Sequence, residues 1–311
     1  MQPLKCTLFS ALGQNTFTAM QREKLLSTYT VDFVKASTHL SDTDFVNLCS
    51  DSDIIGLTPR AIPQGFSRCL KQLHTLKHIA VPTTGTEWLD VSAVEANNIS
   101  FSNVPDFSST ACAEFAAGLL LSIARKIPQA IQSITTTSTT SSFCGFELKG
   151  KSIGIIGLGN VGSAFAKICL GFGMNVFGTD ICSRSISGVR FCSLDTIAEQ
   201  CSLISLHIPL TPKSYHFINS SLLKKFVLKP ILINVSRPRL ADNDAIRTAL
   251  QEGLIASYAL DIGYCDKSEF SDLLSTGLVT AVPHISWYTR EAVVREIDKW
   301  VSNILDFNNK L

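Results

Sequence analysis

The chain has 311 residues, enough for two domains of ordinary size, and its 45% apolar and 17% charged residues suit a protein with substantial cores. With 27 basic against 26 acidic side chains, a net charge of +1 and no basic block, neither nucleic acid nor a membrane surface is expected as a partner. No apolar run reaches the ~18–20 residues a bilayer-spanning helix needs; the richest, from Phe115, stops at Arg125-Lys126. The N-terminus lacks a basic region followed by a continuous apolar stretch, so no secretory signal is expected and a cytoplasmic location is. The 10 cysteines are scattered, with no C-x-x-C pair, which points to reduced, partly buried thiols. No Cys/His cluster has metal-ligand spacing, and no metal is expected.

Residues 4 to 103 alternate between strand-like and helix-like segments. Lys5 to Leu12 reads as a strand, Thr18 to Ser27 as a helix, and Thr30 to Lys35 as a strand. Ser41 to Cys49 is a helix opened by a Ser/Asp cap. Asp53 to Thr58 and His78 to Val81 are short apolar runs typical of strands covered on both faces, with a helix from Gly65 to Leu73 between them. A helix over Trp88 to Glu95 and a strand over Ile99 to Asn103 complete a βα-repeated parallel sheet.

Thr110 to Lys126 predicts a long helix, apolar on most faces and therefore buried, capped by Ser108 or Ser109. The run Ser133 to Ser142 is rich in Thr and Ser, whose side chains compete with helical hydrogen bonds, and reads as a loop. A second βα run follows, with strands at Ser152–Ile156, Val176–Thr179, Leu203–His207, Ile231–Val235, Ser257–Asp261 and Val279–Ala281. The amphipathic helix from Arg290 to Phe307 lies after this second sheet and is expected to return to the first.

The second run opens on Gly157-Leu-Gly159-Asn160-Val161-Gly162, a G-x-G-x-x-G turn between a strand and a helix. Gly157 permits the tight turn, Gly159 lets the backbone approach a pyrophosphate, and Gly162 lets helix and strand pack closely. The phosphates then meet the positive end of the helix. The following strand ends on Asp180, an acid able to accept both ribose hydroxyls of an adenosine and to repel a 2′-phosphate. This pattern predicts a dinucleotide site that favours NAD over NADP; Arg184 and Arg190, close in sequence, keep NADP open.

Polar groups gather where the later strands end: His207-Ile-Pro209-Leu-Thr211, Asn234-Val235-Ser236-Arg237, Asp261, and Pro283-His284-Ile-Ser-Trp287-Tyr288. Hydride transfer to a keto acid needs a cation to polarise the carbonyl, a proton donor with a pKa near neutrality, and a group to set that pKa. Arg237 offers a permanent charge with a planar fork suited to a carboxylate. His284 is of the one side-chain type whose ordinary pKa falls in range.

Taken with Thr84-Gly85-Thr86-Glu-Trp-Leu-Asp90, Ser102 to Ser108, and Gly145 to Lys151, these motifs resemble the D-isomer-specific 2-hydroxyacid dehydrogenase family, glycerate/hydroxypyruvate reductase-like branch, over nearly the whole chain. The resemblance implies an α/β protein of two Rossmann-like/flavodoxin-like parallel-sheet domains with the active site in the cleft between them. Residues 1–103 with the C-terminal helix 286–311 would bind substrate, and 104–285 would bind NAD. Arg237 would hold the carbonyl and carboxylate of the substrate, and His284 would be the acid/base. Thr84, Gly85 and Thr86 would bind the substrate carboxylate, with Trp287 narrowing the pocket towards small substrates. Gly157, Gly159, Asn160, Val161, Gly162, Asp180, His207, Pro209, Thr211, Val235, Ser236 and Asp261 would contact the cofactor, Asp261 facing the nicotinamide carboxamide. A homodimer through the cofactor domain is implied.

Three departures from the family pattern stand out. Asp266 occupies the position of the family's catalytic glutamate, one methylene shorter, with Glu269 as the alternative partner for His284. Pro238 stands where the family usually has glycine, so a positive-φ turn after Arg237 cannot be copied unchanged. Gly263-Tyr264-Cys265 replaces the usual aromatic-and-proline surroundings. The expected activity is NAD-dependent reduction of a small 2-keto acid to a D-2-hydroxy acid. The alternative is an NAD(H)-binding regulatory or corepressor-like protein with weak or no turnover.

Overall fold

The computed structural model describes residues 3–135, 143–261, 270–274 and 276–308. They divide into two compact units, 1–108 with 289–311, and 109–288. In the first unit, strands β1 (Lys5–Ser10), β2 (Thr30–Lys35), β3 (Ile54–Gly56), β4 (His78–Ala80) and β5 (Ser100–Ser102) pair in the order β2-β1-β3-β4-β5, all parallel. This is the flavodoxin-like order. β3 and β4 are buried along their length, as short uninterrupted apolar runs require in a sheet covered on both faces.

Thr18 opens the Ala19–Thr28 helix with a reciprocal capping box to Gln21, and Ser41 caps the Asp42–Cys49 helix by accepting the Asp44 amide. The strand expected over Lys5 to Leu12 stops at Ser10, because Leu12 is exposed in the turn that follows. Phe9, Phe45 and Phe66 form an aromatic line through the core of this unit, with neighbouring ring centroids 5.6 and 6.0 Å apart.

The closing helix, Arg290–Asn308, belongs to this first unit. Its Trp300 is fully buried and donates from Nε1 to the Ala80 carbonyl at 3.0 Å. Tyr29 adds a hydroxyl donated to the Ile304 carbonyl at 2.8 Å. Glu296, on the same helix, is 9% exposed, and burial pushes its carboxyl up to about 7.

The second unit is a parallel sheet of seven strands: β6 (Ser152–Ile156), β7 (Asn175–Thr179), β8 (Val189–Phe191), β9 (Leu203–Leu206), β10 (Ile231–Asn234), β11 (Ser257–Asp261) and β12 (Val279–Val282). Their order is β12-β11-β10-β9-β6-β7-β8, so the chain reverses its direction of winding between β6 and β9. Ligands of such sheets bind beyond the carboxyl ends of the strands at that reversal. β8 was not foreseen: it is a three-residue edge strand, mostly exposed, with too little apolar pattern to read.

The Ser109–Ala124 helix buries Ala113, Ala116, Ala117, Leu119, Leu120 and Ala124 in the core of its own unit, with Phe165 and Ile153. Ser133–Thr135, expected as loop, is a single 3-10 turn, and most of the Thr/Ser run lies outside the described residues. Cysteines 6, 49, 69, 112, 144, 169, 182, 192 and 201 carry free thiols. Burial pushes those of Cys169 and Cys201 up to about 12, which leaves them protonated and inert.

Candidate active site

β6 runs into the glycine turn, and each glycine has a different reason to be there. Gly157 has φ +93, and a side chain on it would meet the His207 carbonyl oxygen at 2.6 Å. A Cβ on Gly162 would stand 1.9 Å from the Gly157 carbonyl oxygen, so the Asn160–Gly171 helix could not start where it does. At Gly159 a Cβ would meet nothing within 4 Å. Packing therefore does not demand a glycine at 159. Beside the first amides of a helix with no side-chain cap, an open approach of this kind is what a pyrophosphate requires.

Asp180 follows the last residue of β7 and braces the turn. Its Oδ2 accepts the Leu158 amide at 2.7 Å, its Oδ1 accepts the Cys182 amide at 3.0 Å, and Arg184 Nε lies 3.9 Å from Oδ2. Burial works to raise this carboxyl, but the amides and the guanidinium outweigh it and hold it below its ordinary range. An acid and a nearby cation thus stand together just beyond the carboxyl end of β7.

His207 follows β9, next to the turn, and its amide donates to the Ile156 carbonyl at 2.7 Å. The ring packs against Phe165 and meets Ser205 Oγ through Nε2 at 2.9 Å, while Nδ1 is buried without a hydrogen-bond partner. Burial pushes its pKa down to about 3, which favours the neutral imidazole. Beyond it, Ser214 Oγ ties the loop of Pro209 and Thr211 by donating to the Pro209 carbonyl at 2.7 Å.

Arg237 follows β10. The buried Asn234 side chain builds its turn: Nδ2 donates to the Arg237 carbonyl at 2.9 Å and to Tyr258 Oη at 3.1 Å, and Oδ1 accepts the Ser236 amide at 3.1 Å. Ser236 Oγ donates to the Leu206 carbonyl at 3.0 Å, and Val235 is buried. Pro238 takes the first position of a 3-10 turn, Pro238–Leu240, where its fixed φ and missing N–H cost nothing. The turn after Arg237 therefore needs no glycine: Arg237 itself is extended, with φ −136 and ψ 135.

β11 ends on Asp261 and β12 on Val282, paired in register. His284 comes two residues later with φ +47, a left-handed conformation that residues other than glycine seldom adopt. Its Nδ1 lies 3.8 Å from Asp261 Oδ2. Trp287 is half-buried, edge-to-face with Tyr288 at 5.1 Å. Asp266 and Glu269, the two carboxylates expected to pair with His284, lie outside the described residues, as do Gly263, Tyr264 and Cys265.

In sheet order, His284, Asp261, Arg237, His207, Gly157 and Asp180 all follow or end strands at the carboxyl edge of one parallel sheet. With strands about 4.8 Å apart, β10 and β12 stand roughly 10 Å apart across β11. In the first unit, Thr84, Gly85 and Thr86 follow β4. Thr84 Oγ1 donates to the Val104 carbonyl at 2.8 Å, and Trp88 Nε1 donates to the Gly85 carbonyl at 3.0 Å, which stiffens the loop. Asn234 and Tyr258 as the scaffold of Arg237 were not singled out from the sequence, since a buried Asn–Tyr contact leaves no local pattern.

A parallel sheet with a glycine turn at its reversal point, an acid closing the next strand, and titratable groups along the same edge defines a dinucleotide-binding oxidoreductase. The chain belongs to the D-isomer specific 2-hydroxyacid dehydrogenase family, whose NAD-binding domain model matches residues 117–286. It is 33% identical over 265 residues to a D-3-phosphoglycerate dehydrogenase of Methanocaldococcus jannaschii, covering 83% of this chain and 50% of that one. It is 31% identical over 261 residues to a hydroxypyruvate reductase of Thermotoga maritima, covering 82% and 85%. In fold it is similar to a D-lactate dehydrogenase from Aquifex aeolicus, solved with NAD and lactic acid, with TM-score 0.83, 22% identity, and 98% and 96% of the two chains covered. No helix among the described residues is long and apolar enough to cross a membrane.

Proposed function

We propose that this protein reduces a small 2-keto acid to the D-2-hydroxy acid, with NADH in preference to NADPH. Gly157, Gly159 and Gly162 would hold the cofactor's pyrophosphate, and the cofactor would supply a hydride for the carbonyl carbon. His284 delivers the proton to the carbonyl oxygen, so that keto acid, NADH and one proton become hydroxy acid and NAD⁺. Arg237 grips the substrate carboxylate with its planar fork and stabilises the alkoxide charge as it develops. Amides of Thr84, Gly85 and Thr86 share the carboxylate. Asp180 takes the adenine ribose, and its charge disfavours a 2′-phosphate.

One observation carries this reading: of the two histidines at the carboxyl edge of the cofactor sheet, burial keeps His207 neutral, while His284 is 28% exposed and lies beside a carboxylate. The half-buried Trp287 next to it, and the hydroxypyruvate reductase among the relatives, support a small substrate. The test is NADH oxidation against glyoxylate, hydroxypyruvate, pyruvate and bulkier keto acids, repeated with NADPH. His284→Ala is expected to lower turnover by ~10²–10⁴-fold, the usual worth of an acid/base residue, with NADH binding intact. Tight NADH binding without turnover of any keto acid would overturn the reading in favour of a regulatory NADH-binding protein.

A homodimer through the cofactor domain is also part of this proposal. Ile131 and Ile134, 66% and 85% exposed after the Ser109–Ala124 helix, support an apolar contact there, and sedentation analysis by ultracentrifugation with Ile131→Lys tests it.

A further inference from the structure

Three loops of the first unit, those that follow β2, β3 and β4, surround a cavity of about 210 Å³ at the carboxyl edge of the five-stranded sheet. None of the residues assigned above to cofactor or substrate lines it. Part of the lining is apolar and aromatic: Phe66 and Pro63 are buried, and Trp88 and Ile62 are half-buried. The volume is below the ~300–1,000 Å³ of sites for drug-sized molecules, so the cavity suits a compact ligand.

The polar lining is rich in acceptors. Asp90 supplies a carboxylate, and hydrogen bonds from Ser67, Ser92 and the Ala93 amide hold it down at about 2, which keeps it ionised. Ser67 Oγ donates its one proton to Asp90 Oδ2 at 2.6 Å, so that hydroxyl has only lone pairs left to offer. His39 Nδ1 lies 2.7 Å from the Ile62 carbonyl oxygen, which can only accept. Nδ1 therefore carries the ring proton, and Nε2 of the neutral ring is an acceptor. Gln64 adds an amide, and neither lysine nor arginine lines the cavity. An anion beside aromatic rings, with acceptors around it and no resident cation, is complementary to an organic cation.

Trp88 joins this cavity to the substrate loop. Its Nε1 donates to the Gly85 carbonyl at 3.0 Å and to Thr83 Oγ1 at 3.2 Å, and Thr83 Oγ1 donates to the same carbonyl at 2.7 Å. We propose that the cavity binds a small organic cation, a primary ammonium on a compact apolar body, with its charge on Asp90 and its body against Trp88 and Phe66, and that the bound cation stiffens the Thr84–Thr86 loop through the indole. The coupling step rests on the reductase reading above and adds a regulator to it; the binding step does not.

Benzylammonium is the probe, with benzyl alcohol and benzoate as its neutral and anionic counterparts. Calorimetry should give a dissociation constant of about 1 mM or tighter for benzylammonium, a fair affinity for so few atoms. Benzyl alcohol should bind on the order of 10-fold more weakly, as loss of a charge-assisted bond implies, and benzoate more weakly still. Asp90→Asn keeps an oxygen to cap the Val91–Ala96 helix, so it should melt as the wild type does while losing affinity for benzylammonium by a similar factor. Absence of benzylammonium binding, equal binding of the three probes, or an affinity unmoved in Asp90→Asn would overturn the site. Saturating benzylammonium should lower KM for the keto acid about fivefold, the low end of usual coupling between sites, with kcat unchanged. Trp88→Phe retains an aromatic face without the N–H, so it should still bind benzylammonium but lose the KM effect. An unmoved KM in the wild type, or an equal effect in Trp88→Phe, would overturn the coupling. Calorimetry needs no turnover, so a chain that reduces no keto acid would sink the reductase reading while the binding result still decides the site.

Discussion

Gly159→Ala and Gly162→Ala, compared side by side, separate the two jobs of the glycine turn. At Gly162 the added methyl would sit 1.9 Å from the Gly157 carbonyl oxygen and 3.3 Å from His207 Cβ, whereas real Cβ contacts lie at 3.0 Å or more. Helix and turn must part by about 1 Å against backbone, which cannot rotate away. Overpacking of this kind costs about 1–3 kcal/mol. For a unit of this size, at roughly 2–4 °C per kcal/mol, the melting temperature should fall by roughly 2–12 °C. At Gly159 a methyl meets nothing within 4 Å, and the backbone at φ −64 and ψ −163 is open to alanine. Melting should therefore change by no more than about 1–2 °C, as at a neutral surface site. The methyl would nevertheless occupy the approach of the pyrophosphate, and NADH affinity should fall at least ~10-fold, about 1.4 kcal/mol. Thermal melting and NADH fluorescence titration read the two outcomes. Wild-type NADH affinity in Gly159→Ala would refute the placement of the phosphates, and wild-type melting in Gly162→Ala would refute the packing argument.

Asp180→Ala removes the acceptor of the Leu158 and Cys182 amides and the charge facing a 2′-phosphate; loss of a charge-assisted bond, about 1.5–3 kcal/mol, should weaken NADH roughly 10–100-fold and NADPH much less, read by parallel titrations. Asn234→Ala leaves the Arg237 carbonyl and the Ser236 amide without their partner, at about 1–3 kcal/mol, and should raise KM for the keto acid; an unchanged KM with lowered stability would show that Asn234 only braces the fold. Glu296→Gln tests the buried carboxyl of the closing helix, whose folded pKa of about 7 lies above its ordinary 4.5. Such a group stabilises fully below about pH 4.5, and the contribution is lost as pH rises through about 7, a loss of about 3 kcal/mol. Urea unfolding at pH 5 and pH 8 should therefore find the variant equal to wild type at the lower pH and more stable at the higher.

Two parallel sheets were legible from the sequence because their strands are short apolar runs separated by amphipathic helices, a pattern set by burial on both faces. β8 escaped because an exposed edge strand of three residues carries no such signal. The glycine turn was readable residue by residue, since each glycine answers a different steric demand. At Pro238 the sequence registers that a positive-φ turn after Arg237 cannot be copied unchanged, but not that a 3-10 turn stands there and suits proline at its start. Least legible were the side-chain contacts that brace the turns after these strands. Asn234 with Tyr258, and Asp261 with the amides of Ile285 and Ser286, join residues 24 or 25 positions apart, and neither pairing has a spacing signature.

His207 and His284 show how one sheet edge gives different surroundings to the same side-chain type. His207 lies between Phe165 and the glycine turn, with a hydroxyl for one nitrogen and no partner for the other, so burial removes its proton. An uncharged ring there adds no positive charge beside the turn and fills space that Gly162 requires to be closely packed. His284 stands two strands beyond β10 on a reversed turn, partly open and next to a buried carboxylate. Their stability effects differ accordingly. His207, with its folded pKa depressed, stabilises the protein above the ordinary histidine range and loses that contribution as pH falls towards about 3. Acidification from about pH 6.5 towards about 3 should therefore loosen the seven-stranded sheet through His207, while a rise from about pH 4.5 to about 7 acts on Glu296 in the other unit.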